Sequence, residues 1–411
     1  MSRLPTLEDL APGGLSGLDG TAVFVRVDFN VPLTAGGEVA DATRIEEALP
    51  SIRDLAGAGA RLILASHSGR PKDAPDPRFS LAPVAAKTAE LLGRPVAFAA
   101  DTVGPEAERV TAALAPGEVC LLENLRFEPG EKRNDAAFAD RLAALVRRHG
   151  EGAYVDDAFG TAHRAHASVV AVAERFARRA AGRLMVREVE ALGRLLGEPE
   201  RPFAALLGGA KIEGKIDTLE NLLPRLDLLA VGGGMANTFL AARGLDLADS
   251  LVERERLELA REILARAAEL GIEMLLPGDL VVTDDLDRPG RIETVPADRV
   301  PAGTKAVDVG PDTRRAFVTA LARARTVFWN GPLGVFEKPP FDAGTREVAA
   351  SLGGARERGA FTVIGGGETV AAARAAGVVA AIGHVSTGGG ASLELLAGKE
   401  LPGLAVLEAG R

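Results

Sequence analysis

Short apolar runs alternate with longer segments rich in Ala, Leu, Arg and Glu along nearly the whole sequence, and no other feature limits the possible folds so tightly. A strand that rejoins its sheet in parallel needs a long crossover, usually a helix. Short runs separated by helical lengths therefore read as a parallel sheet wrapped by helices. In the first half the runs are residues 21–27, 61–65, 119–122 and 153–155, with helical segments such as 43–57 and 135–149 between them. In the second half they are 203–207, 226–231, 273–276, 306–309, 327–329 and 362–364. The stretch 180–197 carries Leu184, Val189, Leu192, Leu195 and Leu196 along one side, as a helix with a single apolar face does, and Gly197, Pro199 and Pro202 close it. A domain boundary is placed on that helix. The fold class is α/β: two doubly wound, Rossmann-like parallel-sheet lobes joined by a hinge helix.

In open α/β sheets ligands bind beyond the carboxyl ends of the strands, so polar residues placed there converge in space. Asp28 and Asn30 follow the first run, His67 and Arg70 the second, and Arg126 the third. Asp156, Asp157, His163, Arg164 and His166 follow the fourth, and Arg44 opens the helix after the first strand. Arg44, Arg70, Arg126 and Arg164, with His67, form a cluster suited to bidentate binding of phosphate or carboxylate. Asp28 and Asn30 suit a small hydroxylated ligand, and an Asx turn ahead of Pro32 accounts for them equally. His163 and His166 lack a third ligand at zinc spacing and read as hydrogen-bonding walls.

Glycine takes the place of arginine at the strand ends of the second half. Gly208, Gly232 to Gly234, Gly278, Gly310, Gly331 and Gly365 to Gly367 all stand there. Backbone without side chains lines a narrow slot, with room for a flat ring and N–H groups for phosphates. Glu368 lies at a helix start, where the dipole favours a carboxylate. Beside phosphates it would hold Mg²⁺; capping alone is the other account. The loop from Ser386 to Gly390 reads either as an anion loop or as a plain connection.

The centre of this half is LLGGAKIEGKI, from Leu206 to Ile216. Its lysines, Lys211 and Lys215, stand four apart, which places both on one face of a helix opening there. The helix dipole repels cations at that end unless an anion lies between, and phosphate is the natural one. Of 48 basic residues only eight are lysine, so two in one motif point to a compact point charge rather than a planar fork. Gly209, Gly214 and Lys215 imitate a P-loop, but Ile216 stands where Ser or Thr would hold magnesium. A P-loop nucleotidase is excluded on that ground, and a dehydrogenase by the lack of G-x-G-x-x-G near the first strand.

A net charge of −9 argues against a nucleic-acid partner and makes any cation cluster local. The single Cys120 has no partner for an internal disulfide, which fits a reducing cytoplasm. No apolar stretch approaches the ~18 residues of a membrane span, and the amino terminus has no signal-like core. A soluble, cytoplasmic protein without a membrane partner is expected. Two lobes, one with an arginine cluster and one with a glycine-lined slot, two lysines and a carboxylate, lead to phosphoryl transfer between ligands held apart.

Eight stretches carry a resemblance to a known family. RVDFNVP (Arg26 to Pro32), SHSGRPK (Ser66 to Lys72), LLENLRF (Leu121 to Phe127) and DAFGTAHRAHAS (Asp157 to Ser168) occur in the first half. GGAKIEGKI (Gly208 to Ile216), VGGGMANTFL (Val231 to Leu240), WNGPLGVFE (Trp329 to Glu337) and STGGGASLELL (Ser386 to Leu396) occur in the second. In kind and order they resemble phosphoglycerate kinase over essentially the whole chain. The resemblance implies reversible transfer of a phosphoryl group from 1,3-bisphosphoglycerate to ADP, giving 3-phosphoglycerate and ATP with Mg²⁺. It implies an acid-binding domain at residues 1–182 and a nucleotide domain at 183–390 with its hinge helix near 183–197. Residues 391–411 would return to the first domain.

By the same resemblance Asp28, Asn30, Arg44, His67, Arg70, Arg126 and Arg164 hold the phosphoglycerate. Arg44, Lys211, Gly366 and Gly389 attend the moving phosphoryl group. Lys215, Gly233, Gly310, Asn330, Pro332, Glu337, Gly366, Gly367, Glu368 and Thr369 hold the nucleotide, with Glu337 on the ribose and Glu368 at the metal. A monomer that closes around both substrates is expected, with no general base, because the carboxylate acceptor is already an anion. Four positions depart from the family's usual residues: Glu368 for Asp, Asp156 for Asn, Ser68 for Leu and Gly278 for Val. A nucleotide-responsive binding protein would keep the slot but would need neither Lys211 nor the arginine cluster.

Overall fold

Two six-stranded parallel sheets answer to the alternation in the sequence, one in each half of the chain. The first contains β1 (Ala22–Val27), β2 (Arg61–Ala65), β3 (Val96–Phe98), β4 (Val119–Leu121), β5 (Ala153–Asp157) and β6 (Arg179–Ala181), in the order β3-β4-β2-β1-β5-β6. The second contains β7 (Phe203–Leu207), β8 (Leu228–Val231) and β9 (Glu273–Leu275). A separate antiparallel sheet holds β10 (Asp279–Thr283), β11 (Ile292–Pro296) and β12 (Lys305–Val309). The chain then returns to the second parallel sheet with β13 (Thr326–Asn330), β14 (Phe361–Gly365) and β15 (His384–Val385), giving the order β15-β14-β13-β7-β8-β9. In the computed structural model, which describes residues 3–72 and 74–409, one compact unit runs to Glu190 and resumes at Glu400. The other is Ala191–Lys399.

Both sheets reverse strand order at their first strand. β1 lies between β2 and β5, and β7 lies between β8 and β13. Connections leaving such a strand depart to opposite faces of the sheet, and the crevice between them is where ligands bind. The first crevice is therefore bounded by the loops after β1, β2 and β5, and the second by those after β7, β8 and β13. Strands buried on both faces read as continuous apolar runs, as Ala22–Val27 and Phe203–Leu207 do, with every residue buried.

The run at 306–309, read as part of the parallel sheet, instead pairs antiparallel with β10, with a register shift between Val281 and Val282. Its β-branched pattern serves either sheet, and only the hairpin partner decides. The helix expected over 180–197 is Arg183–Leu196, because Arg179–Ala181 pairs with β5 as an edge strand. Asp157 starts that helix by accepting hydrogen bonds from the Leu184 and Met185 N–H groups at 2.9 and 3.1 Å. The division between units falls inside it, after Glu190.

Residues 391–399, expected with the returning segment, pack in the second unit. There the Leu393 and Leu396 carbonyls accept from Thr218 and Asn221. The return begins at Glu400, and helix Pro402–Glu408 docks on the first unit through Gly403 N–H to the Ala162 carbonyl (2.9 Å) and Arg179 to the Val406 carbonyl (3.1 Å). The Gly403 bond is one of the backbone ties. Among the described residues no helix is long and apolar enough to cross a membrane.

Candidate functional site

Arg26 is the seed of the first basin. It lies within β1, fully buried, and its Nε donates to Ser168 Oγ at 2.9 Å. Its Nη2 sits 3.2 Å from His67 Nδ1. A guanidinium has no acceptor, so His67 must be neutral with its lone pair on Nδ1 and its proton on Nε2. Burial, followed by the charges of Arg26, Arg126 and Arg164, holds the His67 imidazolium well below its ordinary range. The same forces bring His166 down to about 4. Both histidines therefore enter the basin uncharged at neutral pH.

The loops around them are pinned by side chains. Asn30 Oδ1 accepts the Gly69 N–H at 2.9 Å, and Ser66 Oγ accepts the Phe29 N–H at 2.8 Å. Asn124 clamps the loops after β2 and β4. Its amide donates to the Ser68 and Phe79 carbonyls, and its oxygen accepts from the Ser68 and Arg126 N–H groups. Glu131, fully buried, accepts from Ser168 N–H (3.0 Å) and Ser168 Oγ (2.6 Å) and lies 3.6 Å from His166 Nδ1. Burial raises its pKa, against the pull of Arg26.

The arginines divide into two kinds. Arg44 is ion-paired with Asp28. Arg126 meets only the Gly69 carbonyl, at 2.5 Å, and its buried Nε has no hydrogen-bond partner among the described residues. Burial, then Arg164 and Arg26, lower Arg126 to about 10. Arg164 donates to His163 Nε2 at 3.1 Å. Arg126 and Arg164 thus repel each other, and neither has a carboxylate partner among the described residues, an arrangement that an anion would relieve. Arg70 follows Gly69 as an exposed side chain at the edge of this group.

The second crevice is built from backbone. Gly208 N–H donates to the Asn330 carbonyl (3.0 Å), Gly209 N–H to Pro332 (2.7 Å) and Gly233 N–H to Leu333 (3.0 Å). Gly233 has φ +65°, and a Cβ there would meet the Gly209 nitrogen at 2.9 Å. Against this stitching lies a pocket of about 280 Å³. It is lined by backbone at Gly209, Ala210, Gly233 and Gly234, by the apolar Leu251, Leu280, Leu286, Val307 and Val335, and by Pro332, Glu337 and Glu368.

Several expected residues are not among those that line this pocket. Asn330 donates to the Gly365 carbonyl (2.8 Å), and Thr369 Oγ1 accepts the Gly331 N–H (2.7 Å). Gly366 and Gly389 are the left-handed residues that start helices Gly367–Ala375 and Gly390–Leu396. Gly310 precedes helix Pro311–Ala322, and its missing side chain leaves room for the Asp279 carboxylate.

Lys211 and Lys215 do not share a helix face. The α-helix begins at Ile216, Lys215 lies in a 3₁₀ turn, and Lys211 is in the exposed loop before it. Lys215 folds back instead, donating to the Gly208 carbonyl and to that of Asn330 at 3.1 Å. Two carbonyl acceptors compensate the cation better than the start of a helix, which explains the departure from simple spacing. Burial lowers Lys215 to about 8, opposed by the Glu368 carboxylate.

Sequence reasoning placed Asn124 with Glu123 among the polar residues after the third strand, but gave Arg26, Glu131, Asp308 and Lys305 no role. The usable signal was a charged residue inside an apolar strand, which must find partners. Asp308 is buried with its carboxylate on the Gly344 (2.7 Å) and Val309 (2.8 Å) N–H groups, and burial raises it to about 6.

Among the described residues no three His, Cys, Asp or Glu side chains gather as a metal site. Glu368 is exposed on the pocket wall, so the protein can offer a divalent cation one carboxylate there. That fits an ion held chiefly by phosphates and water, as magnesium commonly is.

A family model described as phosphoglycerate kinase matches residues 15–399. A protein of that name from Desulforudis audaxviator is 55% identical over 389 residues, covering 95% of this chain and 96% of its own length. Another from Thermus thermophilus is 53% identical over 404 residues, covering 98% and 99%. The solved structure of phosphoglycerate kinase from Coxiella burnetii superposes with a TM-score of 0.85 at 37% identity, over 99% of both chains.

Proposed function

Because the chain belongs to the phosphoglycerate kinase family, whose members are phosphotransferases, we propose that its arginine basin holds the phosphorylated acid and its glycine-lined pocket the nucleotide. The observation that carries this division is the pair Arg126 and Arg164, two cations in mutual repulsion, neither ion-paired to a carboxylate among the described residues although Glu131 and Asp28 act on Arg126 at longer range. Asp28, Asn30, Arg44, His67 and Arg70 complete the acid site. Neutral His67 and Asn30 serve its hydroxyl and carboxyl groups, and the arginines serve its phosphate.

The phosphoryl group leaves the acyl phosphate of 1,3-bisphosphoglycerate for the terminal oxygen of ADP. One P–O bond breaks to release the carboxylate of 3-phosphoglycerate, and one forms to give ATP. Neither leaving group nor acceptor carries a proton that must be removed, so the chain needs no general base and works by in-line positioning and charge neutralisation. Lys211, exposed in its loop, is the mobile cation for the group in flight, and Lys215 steadies the nucleotide phosphates. Gly366 and Gly389, ahead of helices Gly367–Ala375 and Gly390–Leu396, in this reading attend the group in flight. Glu337 takes the ribose, with Gly233, Gly310, Asn330, Pro332, Gly367 and Thr369 shaping the slot and its walls. Glu368 is the residue that would hold Mg²⁺, which when bound neutralises phosphate charge. The protein acts in this reading as a cytoplasmic monomer.

A coupled assay run from 3-phosphoglycerate and MgATP tests the assignment. Turnover should require both substrates and Mg²⁺; ATP consumption that ignores 3-phosphoglycerate would sink it.

A further inference from the structure

Of the side chains that line the second pocket, Lys305 is the single cation among the described residues. Its companions with charge are Asp308, Glu337 and Glu368. Asp308 is already committed to two backbone N–H groups. Lys305 is half-buried at the start of β12 and makes no ion pair among the described residues, although the Asp285 carboxylate lies within electrostatic range. An ammonium drawn partly out of water against apolar walls is costly unless a ligand supplies acceptors.

Position along β12 decides which part of a nucleotide it meets. The strand runs from Lys305 to Val309, roughly 13 Å at the usual rise per residue. Next to Lys305, Ala306 packs with Leu240, Leu280 and Val282, and Val307 with Val281 and Phe341. The lysines that serve phosphates in the proposed function, 211 and 215, stand on the loop after β7 with Glu368 near Lys215. Lys305 thus borders the pocket beside residues packed into apolar clusters, surroundings that suit a flat ring and not a phosphate.

We propose that Lys305 reads the edge of the purine base and biases the pocket toward 6-oxopurine nucleotides, those of guanine and hypoxanthine, over adenine nucleotides. A lysine ammonium donates three hydrogen bonds and accepts none. Guanine and hypoxanthine present two acceptors on that edge, O6 and N7, whereas adenine presents one acceptor and an amino donor. The ammonium therefore bonds both acceptors of a 6-oxopurine and faces a donor in adenine. This deepens the reading of the pocket as the nucleotide slot and rests on it.

The test compares kcat/KM for GTP, ITP and ATP with 3-phosphoglycerate as acceptor. Wild type should favour GTP and ITP alike, since the guanine amino group plays no part. Lys305→Met should lower the GTP/ATP and ITP/ATP ratios about tenfold. Lys305→Glu, an acceptor, should push both ratios lower still, toward adenine. An unchanged ratio in both variants overturns the proposal, as does an equal loss for all three nucleotides, which would make Lys305 a general or structural charge. GTP favoured without ITP would move recognition to the amino group and overturn it too. Cross-linking of 8-azido-ADP, mapped by peptide mass spectrometry, separates the two layers. Label near 233–237, 305–309 or 332–337 keeps the slot even if Lys305 fails, and label elsewhere removes the slot itself.

Discussion

At the scale of single residues the two basins use charge in opposite ways. In the first, burial and, after it, the crowding of arginines lower His67, His166 and Arg126 together. In the second, one lysine is hydrogen-bonded to carbonyls and another stands exposed in its loop. Lys211→Ala should therefore cut kcat by roughly 10²-fold or more, with little change in the KM for ADP, as expected when a donor acts mainly in the transition state. Steady-state kinetics decide; near-normal turnover would remove Lys211 from the chemistry. Asp156 offers a cleaner electrostatic test. Burial raises its carboxyl to about 7, although the Ala158 N–H and Arg26 oppose the shift. An unfolded aspartate titrates near ~3.9. The folded chain holds this proton more tightly, so its contribution to stability is complete below about pH 4 and lost as pH rises through 7. Asp156→Asn keeps a neutral side chain at every pH. Its stability relative to wild type should improve by on the order of 2 kcal/mol between pH 5 and pH 8.5, read by urea denaturation. A pH-independent difference would mean that Asp156 is ionised throughout.

At the scale of elements, glycine at a strand end proved ambiguous in a way that Gly310 illustrates. Any glycine there looks like room for a ligand. At Gly310 the room is taken by Asp279, whose carboxylate accepts from the Asp312 N–H (3.0 Å), the Thr313 N–H (2.8 Å) and Thr313 Oγ1 (2.6 Å) and so caps helix Pro311–Ala322. Gly310→Ala should cost about 1–3 kcal/mol of stability by displacing that cap, with a smaller effect on nucleotide KM. A large rise in KM at unchanged stability would mean that Gly310 meets the nucleotide directly and does not merely shape the wall. The longer strands were legible because apolar runs buried on both faces leave few alternatives, as at Arg61–Ala65 and Phe203–Leu207. Of the edge strands in the two parallel sheets, only Glu273–Leu275 was read. Val96–Phe98 and Arg179–Ala181 are three residues long and lack a continuous buried run, so they have no periodicity to read. The antiparallel sheet escaped for a different reason: Ile292–Pro296 is mostly exposed and reads as loop. In the site, strand-end residues such as His67 and Arg126 were found by topology alone. Arg26 and Glu131 were missed because their roles depend on which loop folds over them.

At the scale of the whole molecule, the two proposed sites lie in different compact units, each built on its own six-stranded sheet around its own strand-order reversal. Transfer of a phosphoryl group requires donor and acceptor oxygens within a few ångströms, and water excluded from between them. Neither unit supplies both sets of ligands: Arg44, His67, Arg126 and Arg164 belong to one, Lys211, Lys215 and Glu368 to the other. The helix Arg183–Leu196 carries the chain from one unit to the other, and the stretch before Pro402 carries it back. Two covalent crossings permit a hinge motion driven by ligands that contact both sides. Binding of one substrate alone bridges nothing and should shift that equilibrium little, because a ligand moves it only by its differential affinity for the two states. Small-angle scattering should then show a smaller radius of gyration with 3-phosphoglycerate and a non-hydrolysable MgATP analogue together than with either alone. Lys211→Ala should keep most of the compaction while losing turnover, since its cation is spent on the moving group. Identical profiles in all four ligand states would mean that the units do not approach on binding, and the source of the catalytic alignment would have to lie in a fixed arrangement instead.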